Sequence, residues 1–274
     1  MGFGYYSSKE GLRSDRKETL IKPVHRTNNK PNPMKKLISI LLLALLASCA
    51  KEPPFDLVAK FKEAEDKMQK FKYEDARKAY QEIQEKAPDR SYGADIMLRI
   101  ADTYYGEEKY AEAQVEYQAF LNFHPVHRDA PYAQFQIAMC NYNDLTTIDR
   151  DPAITRTALK EFQNLLKKYP GSPYEEEAKK YIVICRDRLA EYELYVGKFY
   201  YKKGSYKAAL GRLEKLLKDY PDSSAEKDAW YYTGLSYMER GDTEQAIGAL
   251  STLAAKYPAM AGEANALITK LKAR

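Results

Sequence analysis

The sequence predicts an all-α fold, a right-handed α-solenoid of about five helical hairpins closed by a C-terminal helix. Glycine and proline are scarce, at 13 residues each among 274, and the abundant Ala, Lys, Glu and Leu all favour helices. Prolines also recur after similar segments, 37, 45, 51 and 37 residues apart, at Pro88, Pro125, Pro170, Pro221 and Pro258. A period on this scale is typical of a solenoid, and five units exceed the three that a continuous core needs.

The unit that ends at Pro258 shows the repeat most clearly. The tetratricopeptide pattern is Trp-x2-Leu-Gly-x2-Tyr, then Ala-x3-Phe, then Pro. The unit has the matching residues Trp230, Gly234, Tyr237, Ala246 and Leu250, with Thr233 at the Leu position. Because Gly234 and Ala246 are small, we expect the two helices of the hairpin to touch there. The proline ends the second helix, since it lacks the N–H that would continue it.

Irregular segments interrupt the period. The first unit has Lys60 and Lys67 where the pattern has large aromatic residues. An insertion over residues 143–152 separates the two helices of the third unit. Residues 174–203 contain no proline and predict one long helix at the start of the fourth unit, roughly 45 Å in length. Residues 259–272 predict the closing helix, which shields the last hairpin as terminal repeats must.

Residues 34–48 predict a signal peptide. Lys35 and Lys36 precede an apolar stretch of eleven residues, 37–47, in which only Ser39 is polar, and this stretch is too short to span a bilayer. The exit from this stretch, Leu46-Ala47-Ser48-Cys49, resembles the lipobox of bacterial lipoproteins, in which the cysteine thiol receives a diacylglycerol. The sequence therefore predicts lipidation at Cys49, and the alternative is an ordinary signal peptide that contains a cysteine.

These features divide the chain. Residues 1–33 are predicted to be an upstream extension that is not native to the protein, because a signal peptide should begin near the start of translation. Residues 34–48 are the signal peptide and residues 49–55 the lipidated tether. Residues 56–274 are the solenoid, with N-terminal repeats over 56–170 and C-terminal repeats over 171–274. Position 50 is not Asp, which is compatible with sorting to the outer membrane.

The charge balance argues against nucleic acid as a partner. The whole chain has a formal net charge of +5, but residues 1–48 hold nine of its 44 Lys and Arg and three of its 39 Asp and Glu. From Cys49 onward 35 basic residues face 36 acidic ones, a balance of −1. Because the mature chain has no overall positive charge, it would attract the phosphate backbone of a nucleic acid only weakly.

No motif indicates catalysis or a cofactor. There is no Gly-rich phosphate loop, Gly-x-Ser-x-Gly or Cys-x-x-Cys. The only histidines after the signal peptide are His124 and His127, and the sequence shows no Cys or acidic cluster to complete a site around them. We therefore predict no enzyme and no bound metal. Cys140 and Cys185 are predicted to be small buried residues, with a disulfide between them as the open alternative.

The 24 tyrosines mostly serve repeat packing. If tyrosines pack in this way, the two members of a doublet such as Tyr104-Tyr105 cannot both face inward on one helix. We expect one member to pack in the core and the other to line the concave surface. Aromatic side chains favour protein binding there, so Tyr104 and Tyr105 are candidates for a client groove.

The mature chain also contains segments more specific than the repeats. They are the insertion ending Asp149-Arg150-Asp151-Pro152, the helix segment 186–193, Phe199-Tyr200-Tyr201 with Gly204, and Arg212 before residues 216–221. With these, the chain resembles the BamD family, the tetratricopeptide lipoproteins of the outer-membrane β-barrel assembly machinery. The resemblance implies a lipid-anchored protein facing the periplasm that promotes folding and insertion of barrel proteins. The alternative is another periplasmic repeat adaptor, for instance for cell-division or peptidoglycan enzymes.

The resemblance also implies partners. BamA would dock on the C-terminal repeats, alongside other assembly subunits, and unfolded outer-membrane proteins would meet the N-terminal repeats. Arg212 matches an arginine of the family pattern, and it lies one residue off the apolar stripe of its helix. We expect it to be exposed at the stripe's edge, where a guanidinium can hold a carboxylate bidentately. The alternative is that Arg212 is an ordinary surface arginine in contact with solvent. Arg188 and Tyr192, on the neighbouring long helix, are the further BamA candidates.

Overall fold

The computed structural model describes residues 55–86, 92–145, 147 and 150–273, together with Met34 and Ile38. The predicted signal peptide and tether, with Cys49, lie outside the described residues apart from Met34, Ile38 and Phe55. Pro88 also lies outside the described residues, as do Thr146, Ile148 and Asp149 of the insertion. Phe55–Arg274 is one compact unit.

The described residues from Phe55 onward form eleven α-helices and no strand. The helices are α1 Leu57–Gln69, α2 Tyr73–Lys86, α3 Gly93–Gly106, α4 Tyr110–Phe123, α5 Ala130–Asn143, α6 Ala153–Lys168, α7 Glu175–Lys202, α8 Tyr206–Asp219, α9 Glu226–Arg240, α10 Thr243–Lys256 and α11 Ala261–Lys272, with a 3-10 turn at Pro258–Met260. Each helix packs against the next one along the chain. The prediction of an all-α solenoid is confirmed: five hairpins follow one another and α11 closes the last.

The long helix is continuous, as predicted. α7 has 28 residues, which is about 42 Å at the rise of an α-helix. Its partner α8 has only 14. The start of α7 therefore packs with the third hairpin, through Ala178 and Cys185, and its later part packs with the fourth through Ala190.

The core is a series of apolar clusters between neighbouring hairpins. In one of them Tyr117 and Phe120 of α4, both fully buried, pack against Ala133 and Ile137 of α5. The second helix of one hairpin thus shares its core with the first helix of the next. This is the arrangement that makes a repeat depend on its neighbours for burial of its apolar face.

Small residues set the close approach within each hairpin, as predicted. A Cβ added to Gly234 on α9 would lie 2.7 Å from Cδ2 of Leu250 on α10. One added to Gly197 on α7 would lie 2.9 Å from Cδ2 of Leu213 on α8. Both leucines are fully buried, so neither can swing away. Any larger residue at these glycines must push the two helices apart.

The structure explains the departure of the first unit from the pattern. Nζ of Lys60 lies 2.7 Å from a carboxylate oxygen of Glu82 on α2 and 3.0 Å from one of Glu63. Lys67 pairs with Glu63 at 2.6 Å. The two lysines thus lie at the surface of α1 in ion pairs, and the first hairpin is closed by other residues, among them the fully buried Tyr80.

We predict that Gly234→Ala destabilises the solenoid by about 1–2 kcal/mol, because the added methyl overpacks the contact with Leu250 and outweighs the helix propensity that alanine gains. Gly248→Ala is the matched control, since Gly248 lies on the next helix with nothing within 4 Å of its would-be Cβ. It should stabilise by about 0.5–1 kcal/mol. Circular-dichroism melts of the soluble segment 50–274 measure both. Equal melting-temperature gains for the two variants would contradict the predicted contact.

Candidate partner-binding surface

The long helix α7 carries two of the three residues expected to bind BamA. Arg188 and Tyr192 are four positions apart, so they share one face of the helix. Both line a small pocket, and the other side of that pocket is formed by the insertion between α5 and α6, with Thr147, Arg150 and Asp151 among its residues. The structure thus places the insertion, the long helix and both candidate residues together.

The same face of α7 carries exposed apolar side chains on both sides of Arg188 and Tyr192. Residues that recur every three or four positions share one side of a helix, and the members here are Ile184, Arg188, Tyr192, Tyr195 and Phe199, which we call the α7 face. Ile184, Tyr195 and Phe199 are 43%, 48% and 50% exposed. An open groove beside the last two is also lined by Lys198 and Lys202.

Sequence reasoning did not single out Ile184 or Tyr195, although a signal was present. α7 has a buried stripe that includes Leu189, Glu193 and Gly197, and the α7 face is a second stripe on the opposite side. A helix that is apolar on two sides either lies in a core or offers one side to a partner. Here the second stripe is exposed rather than enclosed in a core.

Arg212 does not lie on the α7 face. Its Nη1 donates to Oε2 of Glu193 at 3.1 Å, and Nζ of Lys215 donates to Oε1 of the same carboxylate at 2.6 Å. The Glu193 side chain is 3% exposed, whereas those of Arg212 and Lys215 are each 41% exposed. A buried carboxylate needs such partners, because an unpaired buried charge is costly. The expectation of exposure at the stripe's edge is met, but the guanidinium already holds a carboxylate of its own chain.

The carboxylate of Glu193 also affects Lys215. Desolvation lowers the pKa of Lys215, but the hydrogen bond and charge of Glu193 outweigh it, so the pKa of this lysine is raised above its ordinary value. Through their contacts with Glu193, Arg212 and Lys215 tie α8 to the middle of α7. The first role of these contacts is structural.

Tyr104 and Tyr105 are both half-buried in packing between helices, and the expectation that only one of them packs inward is wrong. The Arg77 guanidinium carbon lies 4.0 Å from the centre of the Tyr104 ring. The Tyr105 hydroxyl accepts a hydrogen bond from Nδ2 of Asn143 at 2.7 Å, and its ring meets Tyr110 edge-on. Because α3 contacts both α2 and α4, two adjacent tyrosines can each reach a neighbouring helix.

A polar cluster in the N-terminal repeats was not foreseen. The carboxylate of Asp102 on α3 accepts hydrogen bonds from the hydroxyls of Tyr117 at 2.6 Å and Tyr132 at 2.8 Å. Arg99 bridges Asp102, at 3.3 Å, and Glu65 of α1, at 3.1 Å. Burial raises the pKa of Asp102, and the two tyrosine hydrogen bonds partly oppose that shift. The cluster links α1, α3, α4 and α5, which the spacing of these residues in sequence did not show.

The histidine pair has acidic neighbours, contrary to expectation. Side-chain ligand atoms of His127, Asp129 and Asp95 all lie within 4.8 Å of one another. Asp95 was missed because it lies 32 positions before His127 and meets it only through packing. Nδ1 of His127 accepts a hydrogen bond from the backbone N–H of Asp129 at 3.2 Å, and Arg128 pairs with the Asp129 carboxylate at 3.2 Å. Nδ1 of His127 and the Asp129 carboxylate thus already have partners within the chain.

The two cysteines of the solenoid are buried thiols, not a disulfide. Burial raises the pKa of Cys140 to about 12 and that of Cys185 to about 11. A thiol held in its protonated form is a poor nucleophile. The interpretation of both as small core residues is confirmed. Among the described residues no helix combines the length and apolar composition that crossing a membrane requires.

A family model described as YfiO, outer membrane lipoprotein, matches residues 56–246. This is 191 of 274 residues, from the start of α1 to the first turn of α10. The chain belongs to the YfiO family. The resemblance found from the insertion and the long helix is confirmed.

Curated relatives agree with this family. The outer membrane protein assembly factor BamD of Vibrio cholerae is 28% identical over 70% of this chain and 85% of its own. The protein of the same name from Haemophilus influenzae is 29% identical over 70% and 80%, and that of Caulobacter vibrioides 25% over 72% and 67%. Among solved structures, a tetratricopeptide protein of Thermus thermophilus is 12% identical over 80% of this chain and 100% of its own, with a TM-score of 0.33. The order and packing of the helices themselves show the repeat fold.

We predict that Arg212→Glu destabilises the solenoid by about 1–3 kcal/mol, because it replaces a charge-assisted hydrogen bond with a second carboxylate beside buried Glu193. The double variant Glu193→Gln with Arg212→Glu should recover part of the loss, since it removes the repulsion between like charges. Thermal melts of the two variants and of Glu193→Gln alone measure the coupling. Additive losses would show that Arg212 and Glu193 do not interact.

Proposed function

We propose that this protein is a lipid-anchored scaffold of the outer-membrane β-barrel assembly machinery, held at the outer membrane through Cys49 with its solenoid in the periplasm. The observation that carries the proposal is the family match, which runs from α1 into α10. The relatives named as assembly factors support the same role. A scaffold acts through surfaces rather than reacting groups, so we propose no catalytic step.

We propose that the periplasmic region of BamA docks on the α7 face. Tyrosine and arginine dominate the energetics of protein interfaces, and the face combines Tyr192 and Tyr195 with Arg188. Phe199 adds an exposed aromatic ring at the C-terminal end of the stripe. Arg212 supports this surface from behind through Glu193, which is also on α7. Its effect on binding would therefore act through the position of the long helix.

The N-terminal repeats are proposed to meet unfolded outer-membrane proteins. Tyr104 and Tyr105 are half-buried, so they would shape the floor of a client groove rather than protrude into it. The rival function is an adaptor for other envelope enzymes. Affinity capture of the tagged protein from membranes separates the two: co-purification of a barrel protein with periplasmic repeats supports assembly, and recovery of division or peptidoglycan enzymes without it supports the rival.

We predict that Tyr195→Ser with Phe199→Ser weakens binding to the periplasmic region of BamA at least tenfold, about 1.4 kcal/mol, without changing the melting temperature. Isothermal titration of the soluble segment 50–274 measures the affinity. Val183→Ser is the matched control, because Val183 is 59% exposed on the same helix but about 100° away from Ile184 around it. Equal weakening by control and double variant would exclude the α7 face as the docking surface.

We predict that Cys49 carries the acyl chains. Cys49→Ala should give a protein that is not cleaved before position 49 and does not fractionate with the outer membrane, because the thiol that receives the lipid is gone. Mass spectrometry of the mature amino terminus provides the direct measurement. An unmodified Cys49, or cleavage at another position, would refute the anchor.

A further inference from the structure

One turn of the solenoid exposes apolar side chains to a degree that no other described turn on the same edge approaches. It joins α4 to α5 over residues 124–129. Val126 in this turn is 95% exposed and Phe123 just before it is 73% exposed. Among the described residues, Val126 is the most exposed large hydrophobic side chain. The equivalent turns at 169–174 and 220–225 have no exposed large hydrophobic side chain.

The turn lies on the edge of the solenoid where the first helix of each hairpin begins. Helices joined by short turns run antiparallel, so α1, α3 and α5 start at one edge and end at the other. Direct contacts agree, since ligand atoms of Asp95, in the first turn of α3, and of His127 lie within 4.8 Å of each other. Val58, in the first turn of α1, is 76% exposed on this same edge. We call the edge at which α1, α3 and α5 begin the α1-start edge.

Only a short segment of chain links the proposed lipid anchor to the α1-start edge. Five residues lie between Cys49 and Phe55, so six residue steps join them, and an extended chain advances at most about 3.6 Å per residue. Phe55, two residues before α1, can therefore be at most roughly 22 Å from the Cα that would carry the acyl chains. α1 adds about another 20 Å to the reach of the chain before the opposite edge begins. This step rests on the proposed lipidation of Cys49.

We propose that the turn 124–129 is a membrane-contact loop, in which Phe123 and Val126 enter the interface of the leaflet that holds the acyl chains. Apolar side chains gain by entering the boundary between headgroups and acyl chains. The Arg128 side chain is 80% exposed beside them and can face lipid phosphates. Together with the acyl group, the loop fixes the solenoid at two points. It would orient the second and third hairpins toward the bilayer and leave the α7 face accessible to a protein partner.

The test uses the full lipoprotein reconstituted into vesicles of phosphatidylethanolamine and phosphatidylglycerol. A polarity-sensitive nitrobenzoxadiazole label is attached to Val126→Cys, or to Phe71→Cys as the matched control. Phe71 is 76% exposed in the turn between α1 and α2, at the opposite edge. The native Cys140 and Cys185 are buried with raised pKa values and so resist labelling.

We expect the label at position 126 to shift its emission to the blue and to be quenched by nitroxide-bearing lipids, and the label at position 71 to show neither effect. Adding Phe123→Ser should reduce the quenching at position 126 about twofold, because the loop loses its larger apolar side chain. Vesicle flotation is measured on the same samples. If the protein floats but both labels remain equally exposed to water, the membrane-contact loop is wrong while the anchor stands. If the wild type does not float, the lipid anchor itself is wrong and the loop loses its basis.

Discussion

The solenoid depends on the contact between a small residue of one helix and a large buried residue of the next. Gly197 against Leu213 and Gly234 against Leu250 are the closest examples, and in both the added Cβ would come within 3 Å of a fully buried leucine. These contacts set the distance between paired helices, and that distance determines how the next hairpin stacks. Since each repeat shares its core with its neighbours, a change at one contact also affects the adjacent repeats.

The length of α7 follows from the same packing and has a functional consequence. Its first half completes the third hairpin and its second half completes the fourth. One helix thus joins both halves of the solenoid without a flexible turn. Because its buried stripe faces α6 and α8, the opposite stripe with Tyr195 and Phe199 remains exposed. The buried Glu193, held by Arg212 and Lys215, keeps the helix in this rotation.

The sequence was sufficient for the architecture because the repeat is a local pattern. Pro125, Pro170, Pro221 and Pro258 each follow the end of a second helix, Gly234 and Ala246 pack within one hairpin, and the segment 174–203 contains one uninterrupted helix, as the sequence predicted. Contacts between side chains of different helices could not be predicted from the sequence in this way. Glu193 and Arg212 are 19 positions apart and Asp95 and His127 are 32 apart, so their pairing depends on how each helix is rotated about its axis. That rotation is set by packing against several neighbours at once.

The proposed lipid anchor and the exposed aromatic stripe on α7 suit a protein that holds an assembly partner beside a membrane. The most direct measurement is photo-crosslinking in living cells, with benzoylphenylalanine placed at Tyr195 or, for comparison, at Val183 on another side of α7. The account predicts a crosslink from position 195 to a barrel protein with periplasmic repeats, and little or none from position 183. Crosslinks from position 183 alone, or from neither position to such a barrel protein, would contradict it.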